Sequence, residues 1–256
     1  MIKIAVTGAS GFIGQHVLNN LNNLSVEVVA ITRLKHANLP KLVNGLWVEI
    51  DLQNPPENMF SLIGSPDILI HLAWQGLPNY MSLHHFEIEL PVQYDFLSAL
   101  IKEGLQSLVV VGTCFEYGMQ SNSLSEELDT KPSNPYGFAK DCLRKQLEFL
   151  KIQHNFKLTW ARLFYLYGDG QSDSSIYQQL KRAIQDFEPK FNMSKGEQLR
   201  DYLPVEKAAQ YLVSLGLLQK DIGVVNVCSG ESISVRNLVE NWLDENNWGI
   251  ELNLGF

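Results

Sequence analysis

Cysteine, positive charge and long hydrophobic runs are all scarce in this chain. It has three cysteines, Cys114, Cys142 and Cys228, an odd number with no metal-ligand spacing. That excludes a disulfide framework or a thiolate metal centre and suits reduced cytosolic thiols. Lysine and arginine number 20 against 28 aspartates and glutamates, a formal net charge of -8. Such a balance disfavours nucleic acid and anionic membrane as partners, since both call for a basic surface. An anionic ligand must then be met by a few local cations. No apolar run approaches the ~20 residues needed to span a bilayer. Met1 leads straight into an apolar segment without a basic n-region, so no secretory signal and a cytoplasmic location are expected. The Asn192-Met193-Ser194 sequon is then coincidental. Repeats, low-complexity tracts and linkers are missing too. What is present is a 45% apolar share over 256 residues, enough for a sizeable core.

Apolar runs alternate with helical patterns. Strands are expected at about 2–7, 26–32, 46–50, 68–72, 108–112 and 158–163, each continuously apolar, as in a parallel sheet covered on both faces. Helices are expected at about 12–23, 83–103 and from Asn134-Pro135 to 153. This is a doubly wound α/β pattern. After Gly168-Asp169-Gly170 the chain turns more polar and less regular. A helix at 204–218, a strand at 224–227 and a helix at 235–245 follow. The reading is a dinucleotide-binding domain over 1–168, with 204–227 returning to it. A small lobe then comprises 169–203 and 228–256.

Two motifs carry chemistry. Thr7-Gly8-Ala9-Ser10-Gly11-Phe12-Ile13-Gly14 lies between the first strand and first helix. Gly8 permits a tight turn, Gly11 a close backbone approach to a pyrophosphate, and Gly14 close helix–sheet packing; the helix amino terminus favours the anion. Tyr136 and Lys140 stand four apart on a helix and so share a face. A phenol near pKa 10 must fall by roughly 2–3 units to work near neutrality, and a lysine cation has the right sign. Thr113, at the carboxyl edge of the fifth strand, can donate to a carbonyl oxygen or simply close a turn. The second strand ends without the carboxylate that an NAD site usually places there. Arg33 follows at once, in a basic loop with Lys35 and His36. Pairing of its guanidinium with a 2′-phosphate would favour NADP. Asp51 could bond an adenine amino group or cap a turn.

These segments resemble the extended short-chain dehydrogenase/reductase family, in its nucleotide-sugar epimerase, dehydratase and reductase branch. The resemblance rests on residues 7–14, Thr113 with Tyr117-Gly118, Tyr136/Lys140, Arg162 to Gly168, Arg200-Asp201-Tyr202-Leu203-Pro204-Val205, and Asn226 to Gly230 with Ser234-Val235-Arg236. It implies a Rossmann-like doubly wound parallel sheet with a small C-terminal substrate-binding lobe. It also implies catalytic roles for Thr113, Tyr136 and Lys140. Cofactor contacts are implied from Gly8, Ser10, Gly11, Phe12, Ile13, Gly14, Arg33, Asp51, Leu52, Leu72 and Ala73, besides Tyr136 and Lys140. Arg200 would bind substrate phosphates; its alternative is an ion pair with Asp201 or Glu197. Glu116 is counted among the substrate contacts, as a second acid/base, with polar packing the other option.

Departures narrow the activity. The 4,6-dehydratases of the family carry Asp-Glu after the catalytic threonine, where this chain has Cys114-Phe115, and phenylalanine cannot move a proton. Glu89 replaces the family's helix asparagine. The chain is short for the branch, with a trimmed or truncated lobe. The resemblance therefore implies an NADPH-dependent 4-ketoreductase acting on a nucleotide-linked 4-keto-6-deoxyhexose, as in bacterial surface-polysaccharide pathways. A 4-epimerase on NAD is the alternative, and a non-catalytic NADP-binding sensor or scaffold a third reading. Relatives often dimerise through two long helices, here about 83–103 and 136–153, so a homodimer is expected.

Overall fold

The computed structural model describes residues 1–33, 39–120 and 123–256. Lys35 and His36, expected in the basic loop, lie outside the described residues. The chain divides into two compact units, 1–163 with 209–227, and 164–208 with 228–256. The second unit thus starts at Phe164, five residues before the expected boundary, directly where the sixth strand ends.

The first unit is built on β1 (Lys3–Thr7), β2 (Glu27–Thr32), β3 (Gly45–Glu49), β4 (Ile68–His71), β5 (Ser107–Thr113), β6 (Lys157–Leu163) and β10 (Gly223–Val227). The order across the sheet is β10-β6-β5-β4-β1-β2-β3, and every pairing is parallel. The sheet reverses direction of growth between β1 and β4, the place where such sheets leave a ligand crevice at their carboxyl ends. Register places Thr7 opposite His71 and Thr113 opposite Leu163. The central strands are buried on both faces, as their largely apolar sequence requires. Ala5, Leu69, Val110 and Trp160 pack with Leu97 and Leu100 of α3 (Leu90–Glu103) and Leu143 and Leu147 of α4 (Pro135–Gln153). Each such leucine, fully buried, contributes roughly 2 kcal/mol of apolar transfer. The alternate residues Ile68 and Ile70 face α6 (Val205–Leu218), where Gly216 leaves them room. Helix α1 (Phe12–Leu21) follows the glycine turn, and α2 (Met59–Leu62) is a single turn.

One expected helix differs. Residues 83–103 do not form a continuous α-helix: a π-turn at His85–Glu89 precedes α3. Pro91 explains it. Proline has no N–H for the carbonyl one turn back and its ring crowds that carbonyl, so the backbone widens before it. The wide turn buries His85 and Glu89.

The second unit carries more regular structure than its polar sequence suggests. A three-stranded sheet joins β11 (Ser232–Ser234), β9 (Leu199–Pro204) and β7 (Tyr165–Tyr167), and a two-stranded sheet joins β12 (Glu251–Leu254) and β8 (Lys190–Met193). Strands of three to six residues leave too few alternations to read. Helices α5 (Ile176–Gln185) and α7 (Val235–Asn246) pack Leu180, Leu238, Val239 and Trp242 against Phe191 and Met193. Among the described residues no helix is long and apolar enough to cross a membrane.

Candidate active site

The glycine turn is shaped by backbone contacts. Gly8 has φ +65°, and a Cβ there would lie 2.8 Å from the Ala73 nitrogen. A Cβ on Gly14 would lie 2.2 Å from the Gly8 carbonyl oxygen. Neither clash can be relieved by a rotamer change, because backbone meets backbone. Gly11 is the extended N-cap of α1 and offers no side-chain cap, and the first turn carries no acid. The helix's leading N–H groups therefore face outward as donors, which fits a dinucleotide pyrophosphate. Phe12 and Ile13 open that helix, and the Ser10 hydroxyl sits 3.1 Å from that of Thr32. The N–H groups of Leu72 and Ala73 donate to the Thr7 hydroxyl at 3.2 and 3.3 Å, fixing the end of β4 beside Gly8.

Arg33 follows β2 directly, and its Nη1 donates to Gln75 Oε1 at 2.8 Å. Its side chain is exposed at the strand end where a 2′-substituent would be read. Asp51 accepts from the Gln53 N–H at 3.1 Å and, more loosely, from Asn54 Nδ2 at 3.4 Å, the geometry of a turn-closing aspartate. Leu52 follows in the same turn.

Asn134 caps α4, accepting from the Gly137 N–H at 2.8 Å, and Pro135 occupies the first turn. This start places Tyr136 and Lys140 on the buried face. Tyr136 is boxed by aromatic rings: His85 at 5.2 Å, Tyr80 at 5.6 Å, Trp74 at 6.0 Å and Phe115 at 6.3 Å between centroids. Burial pushes its hydroxyl far above the ordinary tyrosine range; Tyr80, Glu116 and Cys114 push the same way, and a hydrogen bond with Thr113 opposes them. Lys140 donates to the Val111 carbonyl at 2.9 Å and stands 4.0 Å over the Trp74 ring. Burial brings it down to about 7, against the upward pull of Glu116 and Glu89. Desolvation thus outweighs the lysine-lowered tyrosine expected from spacing alone.

Thr113 accepts from the Phe115 N–H at 3.3 Å, so its own proton is the one offered towards the Tyr136 hydroxyl. Glu116, expected among the substrate contacts, lies inside the protein. It is fully buried: Oε1 accepts from the Thr113 N–H at 2.8 Å, Oε2 from Arg162 Nε at 2.7 Å, and both share the Trp160 indole N–H. Both oxygens are engaged by protein donors, the geometry of polar packing. Gly112 makes it possible: a Cβ there would lie 2.5 Å from Glu116 Oε1 and 2.2 Å from Trp160 Nε1. Desolvation raises the Glu116 carboxyl, and Arg162 pulls it back.

In the second unit, Arg200 on β9 is exposed, with its Nε donating to the Tyr165 hydroxyl at 3.0 Å. Asp201 instead accepts from the Ser229 and Gly230 N–H groups. Among the described residues no salt bridge joins Arg200 to Asp201 or Glu197.

Comparison with known proteins decides the family. The profile of the NAD dependent epimerase/dehydratase family matches residues 4–228. The chain belongs to that family. It is an NAD(P)-dependent oxidoreductase of the extended short-chain type. It is 29% identical to the dTDP-6-deoxy-L-talose 4-dehydrogenase (NAD(+)) of Aggregatibacter actinomycetemcomitans, over 98% of this chain and 93% of that one. It is 26% identical to the GDP-6-deoxy-D-mannose reductase of Pseudomonas aeruginosa, over 93% of this chain and 78% of that one. Among solved structures, MoeE5 in complex with UDP-glucose and NAD superposes with a TM-score of 0.82 at 25% identity, covering 99% of this chain and 85% of that one.

Sequence reasoning missed the lining of the tyrosine pocket. Trp74, Tyr80 and His85 arrive from a loop and the π-turn, which carry no motif. His71 is buried at the end of β4, stacked on Phe96, with its Nδ1 2.9 Å from the Thr7 hydroxyl. The Thr7 hydroxyl already accepts two backbone N–H groups, so its proton goes to His71 Nδ1, and the neutral ring carries its own on Nε2. Burial and Lys140 hold this histidine down to about 3. The signal available in the sequence was a histidine closing an otherwise apolar strand.

Proposed function

We propose that the protein reduces the C4 ketone of a nucleotide-linked 4-keto-6-deoxyhexose, with NADPH as reductant. The observation that carries this reading is a buried Tyr136 held with Thr113 and Lys140 while Cys114-Phe115 leaves no acid/base pair for dehydration. When bound, the cofactor supplies the hydride. Tyr136 gives its hydroxyl proton to the alkoxide that forms at C4. Thr113 donates a hydrogen bond to the same oxygen. Lys140 has donors for the nicotinamide ribose, and its charge favours loss of the Tyr136 proton. The aromatic box keeps water from the reacting carbon. Arg33 sets the preference for NADPH, and Arg200 binds the diphosphate through its exposed guanidinium. The similarity to enzymes named as a 4-dehydrogenase and a reductase of 6-deoxyhexoses supports the substrate class.

We further read the protein as a homodimer. Phe138, Phe149 and Ile152 are exposed along one face of α4, spread over nearly four turns with Lys145 between them. A sedimentation mass of one chain at micromolar concentration would contradict it.

The deciding experiment follows NADPH consumption over a panel of nucleotide-linked 4-keto-6-deoxysugars, with NADH as control. Turnover with NADPH that Tyr136→Phe abolishes supports the reductase. No turnover, with tightly held NAD recovered from the purified protein, indicates a 4-epimerase. Biological activity that survives Tyr136→Phe indicates a non-catalytic sensor.

A further inference from the structure

Glu89 is completely buried on the π-turn, and the hydrogen bonds it makes all come from donors. Oε2 accepts from the Gln75 N–H at 3.0 Å and from Gln93 Nε2 at 2.9 Å. Oε1 has no hydrogen-bond partner; the partly exposed His84 reaches it from the solvent side, Nε2 at 3.4 Å. Both good contacts are donors, as suits a carboxylate. An anion without solvent needs a buried partner of opposite sign. The charged residues buried in this part of the unit are Glu89, Glu116, Lys140, Asp141 and Arg162. Asp141 is answered from its own helix by Arg144 at 2.8 Å and Lys145 at 2.7 Å. Glu116 and Arg162 satisfy one another at 2.7 Å. That leaves one cation and one anion. They are joined through a short loop: Lys140 stands over the Trp74 ring, and the next residue, Gln75, donates its N–H to Glu89.

We propose that Glu89 is the internal counter-ion of Lys140, a positioning residue that keeps the buried lysine cationic beside Tyr136. The other ionisable groups facing the lysine's surroundings are His71 from β4, held neutral, His85 from the π-turn and the paired Glu116. The inference rests on the proposed function only for what the cation is used for. Its test needs no substrate, so its failure and that of the reductase reading are distinguishable.

The test is a pH titration of lysine-labelled protein by NMR, without cofactor, with the Lys140 signal identified by its loss in Lys140→Met. In the wild type the ammonium should titrate near 7. In Glu89→Gln the midpoint should fall by about one unit or more, and Glu89→Asp should restore part of the difference. An unchanged midpoint in Glu89→Gln overturns the proposal. Should Glu89→Gln fail to fold, Glu89→Asp decides, because it keeps the charge and draws it back by one methylene. The Lys140 midpoint should then fall measurably below the wild-type value, and an unmoved midpoint overturns the proposal equally.

Discussion

The glycine turn and the tyrosine pocket belong to the same unit and are made in opposite ways. The turn is almost all backbone: its shape follows from absent side chains at Gly8 and Gly14, and its ligand groups are N–H donors. The pocket is almost all side chain. Aromatic rings exclude water around Tyr136, and buried charges with a neutral histidine set the local field. The difference teaches where each can be altered. Backbone donors carry no titratable proton, so the turn should respond in affinity. Buried ionisable groups should respond in rate, stability and pH dependence.

Replacing Tyr136 by Phe tests the pocket most directly. The expected loss in kcat is about a hundred- to ten-thousand-fold, with NADPH affinity, read by fluorescence titration, within about twofold of wild type. A comparable loss in affinity would erase the distinction. Next in size is Glu116→Gln. It leaves Arg162 buried without its partner and should cost about 3–5 kcal/mol in urea unfolding, again without changing the turn. Combining it with Arg162→Met should recover part of that loss.

His71 gives a pH signature. Its folded value is about 3 against an ordinary 6.5, so between these the unfolded chain binds the extra proton. The stabilisation is fully present above pH 6.5 and is lost as pH falls through that window towards 3. Relative to His71→Gln, the wild type should lose on the order of a few kcal/mol across it, measured as unfolding free energy against pH. Parallel curves would show that His71 is protonated when folded. The smallest effect belongs to the cofactor side, at the end of β2. Arg33→Ala should weaken NADPH binding by about tenfold, roughly 1.4 kcal/mol, and leave NADH unchanged. Equal weakening of both would assign Arg33 to general attraction.

The same contrast explains how much the sequence discloses. The succession of strands along the chain, the turn, Thr113 and the Tyr136/Lys140 face are legible, because glycine spacing and helical period are local. The interruption before α3 could be traced only to Pro91, whose influence runs backward into residues that otherwise look helical. Glu116 was ambiguous because its partners, Trp160 and Arg162, lie more than forty residues away on a neighbouring strand. Trp74, Tyr80 and His85 meet Tyr136 through loop geometry that no period encodes. Glu89 was visible only as an unusual residue at its position, and its burial gives that oddity a physical meaning.

The first unit is discontinuous in the chain, and this matters during synthesis. Strands β1 to β6 leave the ribosome before β10 exists, since β10 closes the sheet only after the intervening segment 164–208 and most of α6 have been made. At about 5–20 residues per second, the outer edge of β6 waits several seconds with its amides and carbonyls unpaired. Nascent chains stalled before residue 223 should therefore be the ones that aggregate or recruit chaperones, and release should follow once Val227 emerges.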